Sequence, residues 1–510
     1  MKLKRYALFA LAMLVWSGSV LAQQSQPCAF PDAGCLPPQV SREFRGVWIA
    51  SVSNIDWPSK PGLSTAAAKR ELLTMLDRAR AAGLNAVILQ VRPAGDALYA
   101  SKLEPWSEYL TGRQGRAPSP RWDPLAFAVA ESDRRGLELH AWFNPYRAQH
   151  PSAKGPLAAS QIANRQPSLV KTYGTHRWMD PGEPAVRAHT RKVILDVVKR
   201  YDIDGVHIDD YFYPYKERNE AGRMIDFPDS ASFARYVNAG GAMTRDDWRR
   251  ENVNLLVKEL HDGIHETKPW VKFGISPFGI WRPGFPWQIR GFDAYTELYA
   301  DARKWLTEGW LDYFSPQLYW PVTQVPQSYP VLLRWWAQQN RYGRHIWPGN
   351  FTSRIGDASR TAWLTPEIES QIAATRGEAG STGNVHFSAK VFLDDRDSVA
   401  TRLGRGAYAT RALVPQSPWL DVPMHGAPAI DIRRAKSGAL SVHLKASPSE
   451  SPRWWLVQSR GADGSWSSAL VSGALREIPI AARADRVSVR AVDRAAIEGP
   501  MTVMKVESRR

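Results

Sequence analysis

The chain has 510 residues, 44% hydrophobic and 23% charged, with 22 Trp; this excludes a disordered chain and leaves room for a large core plus a smaller appendage. The formal net charge is +16. The Lys and Arg are dispersed and no nucleic-acid module is present, so the charge suits anionic surfaces or anionic polymers rather than nucleic acid. Lys2, Lys4 and Arg5, the apolar run Tyr6–Trp16 and the small-residue site Val20-Leu21-Ala22 read as a signal peptide over 1–22, which predicts a periplasmic or secreted protein. No later apolar run is long enough for a membrane span. Residues 23–43 read as a Pro-containing linker; Cys28 and Cys35 within it are placed to close a local disulfide in an oxidising compartment.

From residue 44 to 412 short apolar strands alternate with amphipathic helices. The strand candidates are Arg45–Ser51, Asn85–Pro93, Leu137–Arg147, Gly205–Tyr213, Val271–Gly279, Tyr313–Trp320, His345–Phe351 and Asn384–Leu393. Between them, sets such as Leu72, Leu76 and Ala79, or Leu256, Leu260 and Ile264, share a helical face. Eight such units predict an α/β fold, a closed (β/α)8 TIM barrel. A doubly wound sheet is the alternative, but no Gly-rich phosphate loop follows any strand. Pro415, Pro418 and Pro423 then mark a connection. Short alternating strands over 424–510 predict a fibronectin-III-like β-sandwich, which is expected to pack on the barrel rather than bind glycan.

In such a barrel the chemistry gathers at the C-terminal strand ends. Polar residues do gather there: Gln90, Arg92 and Asp96 after the second strand; Asn144, Tyr146 and Arg147 after the third; His207, Asp209, Asp210, Tyr211 and Tyr213 at the fourth; Trp281 and Arg282 after the fifth; Gln317, Tyr319 and Trp320 at the sixth; Asn350 at the seventh; Asp394 and Asp395 after the eighth. Two adjacent carboxylates raise each other's pKa and are costly unless used. Glycosidic cleavage commonly needs two carboxyl groups, one acid and one nucleophile or base. Asp209 is the expected nucleophile or base and Asp210 its neighbour in a supporting or alternative role. Glu297, Asp180 and Asp96 are candidates for the acid. Trp281, Tyr319 and Trp320 are candidate platforms for sugar rings, and Arg147 and Arg282 candidate holders of a substrate carboxylate. Gln90, Arg92, Asp96, Asn144, Tyr146, His207, Tyr211 and Gln317 complete the expected substrate-binding set. No cofactor and no metal are expected.

The segments RGVWIAS with NIDWPS, LQVRPAGDALYAS, EPWSEYLTG, HAWFNPYR, DGVHIDDYFYPY, GISPFGIWR and DYFSPQLYW resemble, in order, the glycosyl-hydrolase-like family ten proteins, a group that includes divisome-localised glycosyl hydrolases. The resemblance spans Arg45 to Asp395 and omits the C-terminal segment. It implies a barrel exported to the cell envelope, acting on peptidoglycan strands stripped of stem peptides, with division-machinery proteins as candidate partners. The lactyl carboxylates of such strands agree with the basic charge. The family is also similar to α-amylase-type barrels, whose Asp nucleophile ends the fourth strand in a G-x-R-x-D pattern. Gly205-Val206-His207-Ile208-Asp209 fits that spacing with His207 in place of Arg, but Ser276 and Pro277 stand where those enzymes place their acidic Glu. Two rival expectations remain: a hydrolase of another polysaccharide, and a non-catalytic glycan-binding envelope protein with a degenerate barrel.

Overall fold

Strands buried on both faces carry near-continuous apolar runs, and these runs form the barrel. In the computed structural model, which describes residues 36–445 and 451–507, the strands are Phe44–Ile49, Ala86–Arg92, Glu138–Phe143, Gly205–Ile208, Lys272–Ile275, Tyr313–Phe314, a seventh split into His345–Ile346 and Gly349–Asn350, and Gly383–His386. They pair in parallel in sequence order. The split seventh strand closes the ring: His345–Ile346 pairs with the sixth strand and Gly349–Asn350 with the eighth, which pairs in turn with the first. The break falls at Trp347 and Pro348, the latter without an N–H to give. The expected signal peptide and both cysteines lie outside the described residues. Among the described residues no helix is long and apolar enough to cross a membrane.

Helices fill the spaces between strands for local reasons. Ser64 caps Thr65–Ala81 by accepting from the Ala67 N–H, and Leu72, Met75, Leu76 and Ala79 bury one face. Asp123 caps Pro124–Arg134 in the same way, with Pro in the first turn. Pro184–Arg200 and Arg245–Thr267 pack on the fourth and fifth strands through Ile194, Val197, Leu256 and Leu260.

The barrel interior is aromatic. Phe44, Trp48, Trp142, Tyr313 and Trp347 fill it, and glycines make the room. A Cβ at Gly274 would sit 1.9 Å from the Tyr313 ring, and one at Gly205 2.5 Å from His140. Threaded through these rings is one chain of hydrogen bonds. Lys272 pairs with Glu138 at 2.9 Å; Glu138 meets His140 at 3.1 Å; His140 and His207 both bond the Tyr313 hydroxyl, at 2.8 and 3.0 Å; the Trp48 indole donates to His207 at 3.0 Å.

Most strands are shorter than expected, and after two of them the chain forms elements that were not expected. The strand expected to run from Leu137 to Arg147 ends at Phe143, and the chain then builds a three-stranded antiparallel sheet from Arg147–Gln149, Val170–Tyr173 and His176–Met179. The expected Asn384–Leu393 strand stops at His386 and continues as the short helix Ala389–Leu393.

The C-terminal segment forms a three-stranded and a four-stranded antiparallel sheet around a shared core that includes Val442, Ile478, Trp455 and Val489. It seats against the N-terminal end of the barrel. Arg453 reaches Asp204, the residue before the fourth strand, at 2.7 and 2.9 Å. Trp419, in the preceding connection, donates to Asp312, the residue before the sixth strand, at 2.8 Å. This face is opposite the strand ends that carry the expected chemistry.

Candidate active site

At the C-terminal end of the barrel lies a cleft of about 450 Å³. Asp209 and Asp210 line it together with Gln90, Arg147, Tyr211, Gln317 and Tyr319, all of them expected from the sequence. The fourth strand ends at Ile208, so the two aspartates are the first residues beyond it.

Asp209 is held by nitrogen donors. The Trp142 indole donates to Oδ2 at 3.1 Å, the Asn144 amide lies 3.2 and 3.3 Å from the two oxygens, and the Tyr211 N–H donates at 3.4 Å. Asp210 accepts from the Tyr215 hydroxyl and from the Gln317 amide at 3.1 Å. Both carboxyls are buried. Burial, reinforced by the neighbouring charge of Asp210 and opposed by Arg147, pushes Asp209 up to about 7. Burial also raises Asp210, against the two donors that favour its ionised form. Two such coupled groups titrate as a unit. In both carboxyls burial favours the protonated form.

Arg147 is the cation of the cleft. Its guanidinium stacks over the Tyr211 ring at 4.4 Å and donates to the Pro93 carbonyl at 3.2 Å. Among the described residues it has no carboxylate within ion-pair distance, and its buried Nε has no hydrogen-bond partner. Gln90 has a similar asymmetry. Its Oε1 accepts from the Ser51 and Val52 N–H groups at 3.0 and 2.9 Å, while its Nε2 is buried without a partner.

Several expected site residues stand behind the cleft rather than in it. Asn144 is fully buried and orients Asp209. His207 lies inside the barrel under Trp48; burial lowers its pKa, so it is a neutral ring that accepts from the indole and fixes that wall. Others point elsewhere. Arg92 is buried against Glu104, at 2.7 Å. A register shift between Gln90 and Arg92 breaks the alternation that would have put both on one face. Asp96 accepts from the Ala94 N–H and Gln114, and burial raises its pKa to about 6. Tyr146 is buried outside the cleft lining. Asp180 bonds Ser232 at 2.7 Å and the Gly182 N–H at 2.9 Å. Trp281 stacks on Trp335 and bonds Asp301; Arg282 faces Asp293; Trp320 packs on Phe278.

Glu297 pairs with Lys216 at 3.1 Å and does not line the cleft. Replacing it, as Glu297→Gln, is expected to leave the rate of glycan cleavage within about twofold, as for a surface ion pair of small net value; a reducing-end assay checks this.

The cleft also contains residues that sequence reading left out. Trp48 and Trp142 read as strand interior, yet their rings reach the mouth. Tyr215 lay in the quoted DGVHIDDYFYPY segment without a role. His150 directly follows the unexpected strand Arg147–Gln149, and Phe351 and Phe387 follow the seventh and eighth strands.

The family model described as glycosyl hydrolase-like 10 matches residues 43–363. Glycosyl hydrolase YngK of Bacillus subtilis is 43% identical over 391 residues, 75% of each chain. Glycosyl hydrolase DigH of Escherichia coli is 34% identical over 412 residues, 74% of this chain and 91% of that one. Among solved structures, the PgaB (BpsB) glycoside hydrolase domain from Bordetella bronchiseptica aligns with a TM-score of 0.47 at 13% identity, over 71% of this chain and 98% of that one. The β-amylase catalytic domain from Paenibacillus polymyxa gives 0.47 at 11% identity, over 73% and 98%. The chain belongs to the glycosyl hydrolase-like 10 family and is a glycan-acting hydrolase.

Proposed function

We propose that the protein is an exported enzyme that hydrolyses glycosidic bonds in peptidoglycan strands lacking stem peptides. The observation that carries this reading is the position of Arg147. It is a buried cation that makes no direct ion pair among the described residues, in an aromatic-walled cleft beside a carboxyl pair whose protonated form burial favours. A strand stripped of its peptides presents a free lactyl carboxylate on every second sugar, and that group complements Arg147. The aromatic rings of Trp48, Trp142 and Tyr319 suit the apolar faces of sugar rings. Export is supported by the charged start, the apolar run Tyr6–Trp16 and the small-residue site that ends at Ala22.

In this mechanism Asp209 donates a proton to the leaving glycosidic oxygen and Asp210 remains ionised beside it. The roles are reversed from the sequence expectation: burial raises Asp209 to about 7, which suits a proton donor. A general acid is active only while protonated. With its pKa near 7, the rate is expected to fall about tenfold per unit as pH rises above that value. A kcat/KM profile from pH 5 to 9 checks this.

The test of the substrate is to incubate the pure protein with denuded glycan, intact peptidoglycan, chitin and cellulose, and to identify products by mass spectrometry. The reading expects oligosaccharide release from denuded glycan far above the rest. Equal or greater release from intact peptidoglycan or cellulose would reject the substrate assignment.

A further inference from the structure

Cleavage with an enzyme nucleophile or base normally places carboxyl groups on two sides of the sugar. Their separation is about 5–5.5 Å in retaining enzymes and about 6.5–9.5 Å in inverting ones. The cleft departs from that plan. Its lining contains two carboxyls, Asp209 and Asp210, on consecutive residues; Asp209 is held by Trp142 and Asn144, and Asp210 by Tyr215 and Gln317. The other expected acids have all been placed elsewhere: Asp96 on Gln114, Asp180 on Ser232, Glu297 on Lys216. Every other lining side chain is aromatic, aliphatic, hydroxyl, amide, imidazole or guanidinium. Both carboxyls therefore come from adjacent positions on the barrel rim, and among the described residues no third lines the cleft from the far side.

From this geometry we infer that the substrate supplies the nucleophile: the enzyme cleaves a 2-acetamido sugar with the acetamido oxygen attacking the anomeric carbon. The inference rests on the glycan-hydrolase reading above and names the group that reading leaves open. Asp210, held by Tyr215 and Gln317, accepts the acetamido N–H and turns the carbonyl oxygen toward C1. As the C1–oxygen bond breaks, its electron pair leaves with the departing sugar oxygen, which takes the proton of Asp209. The carbonyl oxygen forms its bond to C1, giving a cyclic oxazolinium ion whose positive charge Asp210 balances. Water then attacks C1 and gives its proton to Asp209, the ring opens, and the acetamide is restored. Atoms and charge balance with no further reactant. Two inversions at C1 give net retention.

Other features of the cleft fit such a group. Trp48, Trp142, Tyr319 and Phe387 provide an apolar surround for the acetyl methyl.

The experiment uses the full-length mature protein and synthetic denuded tetrasaccharides carrying N-acetyl, N-fluoroacetyl or N-trifluoroacetyl groups. The products are followed by NMR for anomeric configuration and the protein by mass spectrometry. Fluorine weakens the carbonyl oxygen as a nucleophile without changing the glycosidic bond. The expected result is a fall in kcat on the order of tenfold or more across the series, first-formed products that retain configuration, and strong inhibition by the 1,2-thiazoline analogue of the sugar. Equal kcat across the series would overturn the inference, as would inverted product or a glycosyl adduct on Asp210 or Tyr215. Absence of cleavage of the N-acetyl parent, with no thiazoline binding, would instead bring down the hydrolase reading and the inference with it.

Discussion

Asp209→Asn and Asp210→Asn are each expected to lower kcat on denuded glycan by about 10²–10⁴-fold, the range for loss of a positioned acid or base. The two variants should fail in different ways. Asp209→Asn removes the proton donor, so it should retain activity on an aryl glycoside whose leaving group needs no proton. Asp210→Asn should be slow on both. The folded state supplies the control. Asp209 has a pKa of about 7 in the protein against 3.8 for the free side chain. The folded state thus binds more protons than the unfolded state between these values, and stability falls as pH rises from about 4 to about 7. Asparagine has no charge to bury. Asp209→Asn should therefore be more stable than the wild type above pH 7, by a few kcal/mol at most, on the order of the shift, and the difference should shrink below pH 4. Denaturant melts at pH 4 and 8 measure it. An inactive variant that is less stable at pH 8 would mean misfolding rather than lost chemistry.

The largest expected effect on stability is at the opposite end of the barrel. Arg453 is buried; it pairs with Asp204 through two bonds at 2.7 and 2.9 Å and also contacts Asp133, with the Trp454 ring 4.0 Å from its guanidinium carbon. Asp204 is buried too, which would raise its pKa, but Arg453 outweighs burial and keeps it ionised below the usual carboxylate range. The same carboxylate accepts the Leu139 N–H at 2.8 Å, so it ties the third and fourth strands to the C-terminal sheets. Arg453→Ala leaves two carboxylates without their cation, one fully buried. Removing one partner of such a pair costs about 3–5 kcal/mol. The expected result is a drop of that size by thermal or denaturant unfolding, with the C-terminal segment becoming the first site of proteolysis. Asp204→Asn combined with Arg453→Met should recover part of the loss, since no buried charge is then left alone there.

The barrel was legible because each strand is buried on both faces and reads as a short apolar run. What blurred was where each strand stops. Asp209 was expected on a strand running toward Tyr213 and Asp210 at its end or on the loop, whereas the strand ends at Ile208 and both aspartates lie beyond it. Part of the cleft was readable from the polar residues that gather near strand ends: Gln90, Arg147, Gln317 and Tyr319 were found this way. Alternation fails at a register shift, and Arg92 was misplaced for that reason. A polar residue beyond a strand end has two destinations, the cleft or the layer of helices outside. Asp180 and Trp281 went outward, and nothing in their local sequence separates the two cases. Trp48 and Trp142 failed in the other direction. A buried strand and a sugar-binding wall use the same residue, and only the ring closure brings those two indoles to the mouth beside Asp209.

A crystal structure of Asp209→Asn bound to a denuded tetrasaccharide tests the central claim most directly. The account predicts sugar rings against Trp48, Trp142 and Tyr319, a glycosidic oxygen within about 3.2 Å of the side chain at position 209, and a lactyl carboxylate on Arg147. A glycan bound elsewhere, with the tandem aspartates facing solvent, would contradict it.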